Sequence, residues 1–249
     1  MRYFFEIAYK GTNYHGWQRQ PNAISIQQMV EEAFSKILRT EITILGSGRT
    51  DTGVHCEQQF FHIEVENEIV DTDRLLFKIN NFLPKDIAIK NAALAAEGAH
   101  ARFSATTRSY EYRITLVKDA FNAPLRYFFN RPLDVKTMNE AAALLIGKHD
   151  FECFSRVRTE VNNFYCDITV AHWVQNGDCL TFHVTANRFL RGMVRAIVGT
   201  LLNVGQGKTT VDQVEEIIAS KKRKNAGSAA PAQGLFLTKV VYPSDIFIY

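Results

Sequence analysis

Two runs of strict alternation constrain this chain more than anything else in it. Tyr3, Phe5, Ile7 and Tyr9 alternate with Arg2, Phe4, Glu6 and Ala8, and the pattern restarts where Tyr110, Tyr112, Ile114 and Leu116 alternate with Glu111, Arg113 and Thr115. A period of two places one set of side chains on one face, so each run predicts a strand packed on a core. Helical patterns follow both. Ser25 precedes Ile26, Met29, Val30, Ala33, Phe34, Ile37 and Leu38, an apolar stripe at helical spacing, with Gln28 placed as in a capping box. A strand ending near Leu45, a glycine-rich turn, a strand over 59–66 and a helix over 73–82 complete the first half. The second half reads as a helix over 137–145, strands over 168–174 and 180–186, and a long helix over 189–204. Strands and helices interleave throughout, which predicts an α+β protein of two similar lobes, 1–104 and 105–249, each an antiparallel or mixed sheet with flanking helices.

At 249 residues either lobe can bury a core without metal or disulfide staples. Cys56, Cys153, Cys166 and Cys179 form no C-x-x-C pair, which excludes a zinc knuckle or a redox motif and leaves them as small hydrophobes. The first nine residues alternate rather than forming a basic cap and an apolar run, so no signal peptide is expected. No segment approaches the ~20 apolar residues of a membrane span. A soluble, cytoplasmic protein is the expectation. The net charge of +3 permits a polyanionic partner without requiring one, so the clustering of basic residues matters more.

The most informative run is G-S-G-R-T-D-T-G-V-H, residues 46–55. Three glycines around one carboxylate describe a backbone that turns sharply and admits close approach. A dinucleotide fingerprint would need glycine at Asp51, and no Gly-Lys-Ser/Thr closes the run as a P-loop would. Arg49 and Asp51 are two apart, so in an extended segment both project from one face, where the guanidinium can hold the carboxylate ionised. Such a carboxylate can attack a sugar carbon or serve as a base. The same residues also suit an Asx-turn with a surface ion pair.

R-F-S-A-T-T-R-S-Y-E-Y, residues 102–112, places Arg108 and two tyrosines at the start of a strand, suited to stacking on an unstacked base or to an ordinary core. N-R-F-L-R-G-M-V-R, residues 187–195, brings Arg188, Arg191 and Arg195 to helical spacing, to bind phosphates, reach a carboxylate or face solvent. Lys221, Lys222, Arg223 and Lys224 end the next helix, where cations suit the helix dipole. Residues 205–210, G-Q-G-K-T-T, imitate a Walker loop, but Leu202 occupies the place of its first glycine. The stretch over 227–232 reads only as a loop. His55, His62, His100 and His149 suggest no ligand set, and no Ser-His-Asp arrangement is present.

In this order, these runs together resemble the TruA family of tRNA pseudouridine synthases over essentially the whole chain. The resemblance is carried by N-Y-H-G-W-Q-R-Q (13–20), G-R-T-D-T-G-V-H, F-S-A-T with R-S-Y-E-Y, F-L-R-G-M-V-R, and the closing Gly227, Ala230, Pro231, Gly234 and Leu235. It implies isomerisation of uridine to pseudouridine on the 3′ side of the anticodon loop, with Asp51, Tyr110 and Arg195 as the active-site residues. Arg49 and His55 would shape the site and the RNA contact, joined by Arg19, Gln20, Arg108, Arg188 and Arg191. It further implies a homodimer, a central basic cleft for the anticodon arm, and no cofactor or metal. Cys56 stands where that family more often has alanine, and Glu57 and Arg188 occupy variable places, which bears on target range more than on chemistry. Two rivals remain: an RNA-binding protein without turnover, and a nucleoside hydrolase or glycosidase, although the second usually needs another carboxylate.

Overall fold

The computed structural model describes residues 1–157 and 161–248. The chain divides into two compact units, Met1–Thr106 with Leu237–Tyr249, and Thr107–Phe236.

The first unit runs β1 (Arg2–Tyr9), α1 (Ile26–Leu38), β2 (Leu45–Gly46), β3 (His55–Glu64), α2 (Thr72–Phe82) and β4 (Ile87–Ala95). β1 lies between β3 and β4, antiparallel to both, and β2 adds to the outer part of β3. The alternation in β1 has the expected consequence. Tyr3, Phe5, Ile7 and Tyr9 are all buried, and Phe5 meets Phe34 of α1 at 4.8 Å edge-on and Phe61 of β3 at 5.4 Å stacked. Phe4 points to the opposite face, where Ala95, Ala99, Ala101 and Ile246 close a second, smaller core. Ser25 caps α1 by accepting the Gln28 N–H at 3.3 Å. The Gln28 side chain turns along the helix to Glu32 at 2.9 Å, so the reciprocal half of the capping box is not made.

The second unit runs β5 (Thr107–Thr115), β6 (Tyr127–Phe128), α3 (Val135–Ala143), β7 (Gly147–Asp150), β8 (Tyr165–Asn176), β9 (Cys179–Ala186), α4 (Met193–Gly205) and α5 (Val211–Ser220). Its strands pair antiparallel in the order β5, β9, β8, β7, and β6 joins β5 in parallel, so the sheet is mixed. Tyr112, Phe182 and Trp173 fill one face, with α3 packed against β8 and α4. No helix is long and apolar enough to cross a membrane among the described residues.

The chain end differs from the sequence-based division. After β10 (Leu235–Val241), β11 (Phe247–Ile248) pairs with β4. The Tyr242 hydroxyl donates to the Ala101 carbonyl at 2.6 Å, and the Ala96 N–H donates to Ile246 at 2.9 Å. The tail therefore completes the small core around Phe4, a long-range role that no local pattern encodes. β4 itself carries four alanines, a lysine and an asparagine, too weak an alternation to announce a strand.

The long helix also starts later than its arginine spacing predicts. Gly192 sits at φ 73° as the N-cap of α4, a left-handed conformation that ends helical continuation toward the N-terminus. Arg188 and Arg191 consequently precede the helix, and only Arg195 lies on it, so the three do not form one helix face. The Walker-like stretch joins two helices: α4 ends at Gly205, and Thr210 caps α5 with a reciprocal capping box to Gln213.

Candidate active site

The Asp51 loop is held from both sides. Before it, the Ser47 N–H donates to the Phe60 carbonyl at 2.7 Å, and Gly46 lies so close to the Trp17 indole that a Cβ there would come within 2.7 Å of the ring. At its centre the buried Tyr9 hydroxyl lies 2.8 Å from the Thr50 hydroxyl and donates to Gln59 Oε1 at 3.0 Å. Gln59 Nε2 in turn donates to the Gly48 carbonyl at 3.0 Å. The Thr50 carbonyl accepts the Trp17 N–H at 3.1 Å. A side chain at Gly16, φ 85°, would strike that same carbonyl at 2.5 Å, so glycine is required by both conformation and space.

After it, the Val54 N–H donates to the Asp51 carbonyl at 3.1 Å, with Gly53 at φ 78° making the turn possible. His55 is 1% exposed and its Nδ1 accepts the Gly11 N–H at 3.1 Å. Backbone groups on either side of Asp51 are thus committed, and the half-buried carboxylate is presented from a rigid turn. Arg49 is exposed and makes no hydrogen bond or ion pair among the described residues, so the expected Arg49–Asp51 pair is not formed in this structure. His55 has almost no surface to offer a ligand and instead pins the loop.

Arg19 and Gln20 flank the same loop through the segment that carries Trp17. Arg19 pairs with Glu31 at 3.0 Å, and Gln20 Nε2 donates to the His15 carbonyl at 2.8 Å. Glu31 is a buried anchor absent from the sequence-based expectations. Although 6% exposed, it accepts from Arg19, from Gln27 Nε2 at 2.9 Å and from the Ile44 N–H at 3.2 Å, tying α1 to both neighbouring loops. It stands in the polar register of the helix, so nothing in the sequence singles it out.

In the second unit Tyr110 is half-buried on β5, its ring edge-on to Phe189 at 5.1 Å. Its neighbour Tyr112 is core: fully buried, its hydroxyl donates to the Pro231 carbonyl at 2.7 Å, and burial pushes its pKa far above that of an ordinary phenol. Arg108 donates to the Asn187 carbonyl at 2.9 Å, linking the start of β5 to the end of β9. Arg188 is half-buried, and Arg191 is exposed, its carbonyl accepting the Arg156 N–H at 2.9 Å.

Arg195, in the first turn of α4, is oriented by the segment over 226–231, which has a positioning role beyond that of a plain loop. Its Nε donates to the Ala230 carbonyl at 2.6 Å, and the Ala230 N–H returns a bond to the Arg195 carbonyl at 2.9 Å. The Gly227 N–H donates to Thr200 Oγ1 at 2.8 Å. This close approach depends on Gly199, where a Cβ would fall 1.7 Å from the Ser228 carbonyl oxygen. Arg223 closes the other end by donating to the Gly227 carbonyl at 2.9 Å, while Lys221 pairs with Asp150 at 2.8 Å. Two of the four cations after α5 are therefore engaged by the protein itself.

Chemically the Asp51 turn offers one positioned carboxylate, and the second unit offers an aromatic hydroxyl and a braced guanidinium. No group of His, Cys, Asp and Glu among the described residues could hold a metal ion. Three buried thiols are poor nucleophiles: burial raises Cys166 to about 11, Cys153 to about 12 and Cys56 well above its usual value.

The sequence profile of the family described as tRNA pseudouridine synthase matches residues 7–104 and 141–243. A protein named tRNA pseudouridine synthase A from Bacteroides fragilis is 47% identical, with 99% of this chain and 98% of that protein covered. Its namesake from Parabacteroides distasonis is 46% identical, with the same coverage of 99% and 98%. A protein named tRNA pseudouridine synthase A 2 from Clostridium perfringens is 42% identical over 95% of this chain and 97% of its own. With a profile covering most of its length and relatives alike from end to end, the chain belongs to the tRNA pseudouridine synthase family.

Proposed function

We propose that Asp51 is the catalytic carboxylate of a synthase acting on the anticodon arm of tRNA, with Tyr110 and Arg195 as its partners. As a member of its family, the enzyme isomerises uridine to pseudouridine in tRNA. The reaction breaks the N1–C1′ bond, rotates the freed uracil, joins C5 to C1′ and releases the C5 proton while N1 gains one. The observation that carries the assignment is the turn itself, which commits the backbone around Asp51 and so holds its half-buried carboxylate in a fixed position.

An ionised carboxylate serves this chemistry by attacking C1′ or by removing a sugar proton, and in either case the detached base must be retained until it rejoins. The target uridine first leaves its stack, at a cost of a few kcal/mol that stacking on an aromatic ring offsets. Tyr110 is the ring for that role, and its hydroxyl is suited to proton transfer at C5. Arg195, oriented by the Ala230 carbonyl, would pair with Asp51. Arg49, Arg19, Gln20, Arg108, Arg188 and Arg191 would contact the RNA, Arg49 and Arg191 most directly because they are exposed. His55 serves indirectly, by holding the loop. A cytoplasmic homodimer with the anticodon arm in a basic cleft is the assembly the motifs favour.

The test uses tRNA tritiated at C5 of uridine, with wild-type enzyme and Asp51→Ala. Tritium release and pseudouridine from the wild type only, with RNA binding retained by the variant, is the expected result. Turnover by Asp51→Ala would overturn the assignment. Binding without release by either protein would favour a non-catalytic RNA-binding role, and free uracil would favour a hydrolase.

A further inference from the structure

The loop over residues 99–104 in the first unit is stiff, yet it ends in a phenylalanine that faces water. Phe103 is 75% exposed. An isolated exposed apolar residue is ordinary, but this one is braced throughout. His100 Nδ1 accepts the N–H groups of Arg102 at 3.0 Å and Phe103 at 3.4 Å. The His100 N–H donates to Ser104 Oγ at 3.0 Å, and the Ser104 N–H returns to the His100 carbonyl at 3.0 Å. The Ala101 N–H donates to His62 Nδ1 at 3.1 Å, its carbonyl accepts from Tyr242, and the Ala99 carbonyl accepts from Arg2.

The rings form a continuous series from core to surface. Phe4 stacks on His62 at 5.5 Å, His62 meets His100 edge-on at 4.9 Å, and His100 meets Phe103 at 4.5 Å. The Arg102 guanidinium carbon stands 5.4 Å from the centre of the Phe103 ring. His100 accepts through Nδ1, which requires the neutral ring. Its pKa is lowered accordingly, by partial burial first and then by Arg2 and Arg102.

We propose that Phe103, with Arg102 beside it, is a stacking platform for an unpaired, non-target base of the substrate tRNA. A rigid aromatic face loses little freedom on binding, and the adjoining cation suits both the π face of a base and the phosphate that follows it. This role is separate from that of Tyr110: Phe103 holds RNA that does not react. The proposal rests on tRNA being the substrate, which wild-type turnover tests by itself.

The experiment compares wild type, Phe103→Ala, Phe103→Leu and Phe103→Trp for tRNA affinity, kcat and KM. The tRNAs carry a single abasic substitution at each unpaired nucleotide in turn. Loss of one stacked base predicts affinity weakened between about fivefold and a hundredfold in Phe103→Ala. The loss should fall on KM, with kcat nearly unchanged. Phe103→Leu, apolar without a ring, should fail likewise, and Phe103→Trp should restore binding. One abasic position should weaken the wild type and leave Phe103→Ala no worse. Unchanged affinity in Phe103→Ala, full function in Phe103→Leu, or no coupled abasic position would overturn the proposal. A changed oligomer mass with unchanged RNA affinity would also overturn it, assigning the ring to a contact with a second copy.

Discussion

At the scale of single residues, chemistry and support are divided between neighbours. Thr50 and Asp51 are adjacent: Thr50 is held by Tyr9 and Trp17, and Asp51 is the carboxylate we propose for the chemistry. Tyr110 and Tyr112 share one strand face, and the structure separates their roles: Tyr112 is sealed, whereas Tyr110 retains surface. Tyr110→Phe should therefore keep the fold and the melting temperature but lose about 10²-fold or more in single-turnover rate, the range typical of positioned proton-transfer groups. An unchanged rate would remove the hydroxyl from the mechanism.

His62 has a different consequence. It is 1% exposed, its Nδ1 accepts from Ala101, and its Nε2 has no hydrogen-bond partner among the described residues. Burial first, then Arg2 and His100, lower its pKa from 6.5 to about 4, with Glu64 opposing. In the interval between those values the unfolded chain binds the proton more readily, so stability present above pH 6.5 is lost as the pH falls toward 4. The full effect is on the order of 3 kcal/mol. Urea unfolding of wild type across this interval should show that loss, and His62→Asn should show a shallower slope.

At the scale of elements, α4 and the segment over 226–231 act as one device. Gly199 lets the backbone of Ser228 approach the helix, Thr200 receives the Gly227 N–H, and Ala230 orients Arg195. Gly199→Ala forces these surfaces apart. Overpacking of this kind costs about 1–3 kcal/mol, visible in a thermal melt. If Arg195 works as proposed, kcat should fall by tenfold or more while tRNA affinity changes little. Equal losses in both would indicate a merely structural seam. The arginine motif was legible as a motif, but its geometry was not, because a glycine that opens a helix, as Gly192 does, and one that admits a neighbouring loop, as Gly199 does, look alike in sequence.

At the scale of the whole molecule, a net charge of only +3 cannot by itself hold a polyanion, so affinity for tRNA must come from where the cations stand. Binding should weaken steeply with salt through counterion release, and Arg49→Gln should reduce the slope of log K against log salt by about 0.7–0.9 if it meets one phosphate. A parallel shift without change of slope would place Arg49 away from the phosphates. The alternations at β1 and β5, the stripe of α1 and the glycine-bounded carboxylate were all readable from the chain alone. Each rests on local periodicity or on the conformational demands of one residue type. The return of β11 to β4, the burial of Glu31, the pinning role of His55 and the bracing of Arg195 by Ala230 were decided only in the folded chain. Each joins residues distant in sequence, where partners are selected by packing and hydrogen-bond satisfaction rather than by any pattern along the backbone.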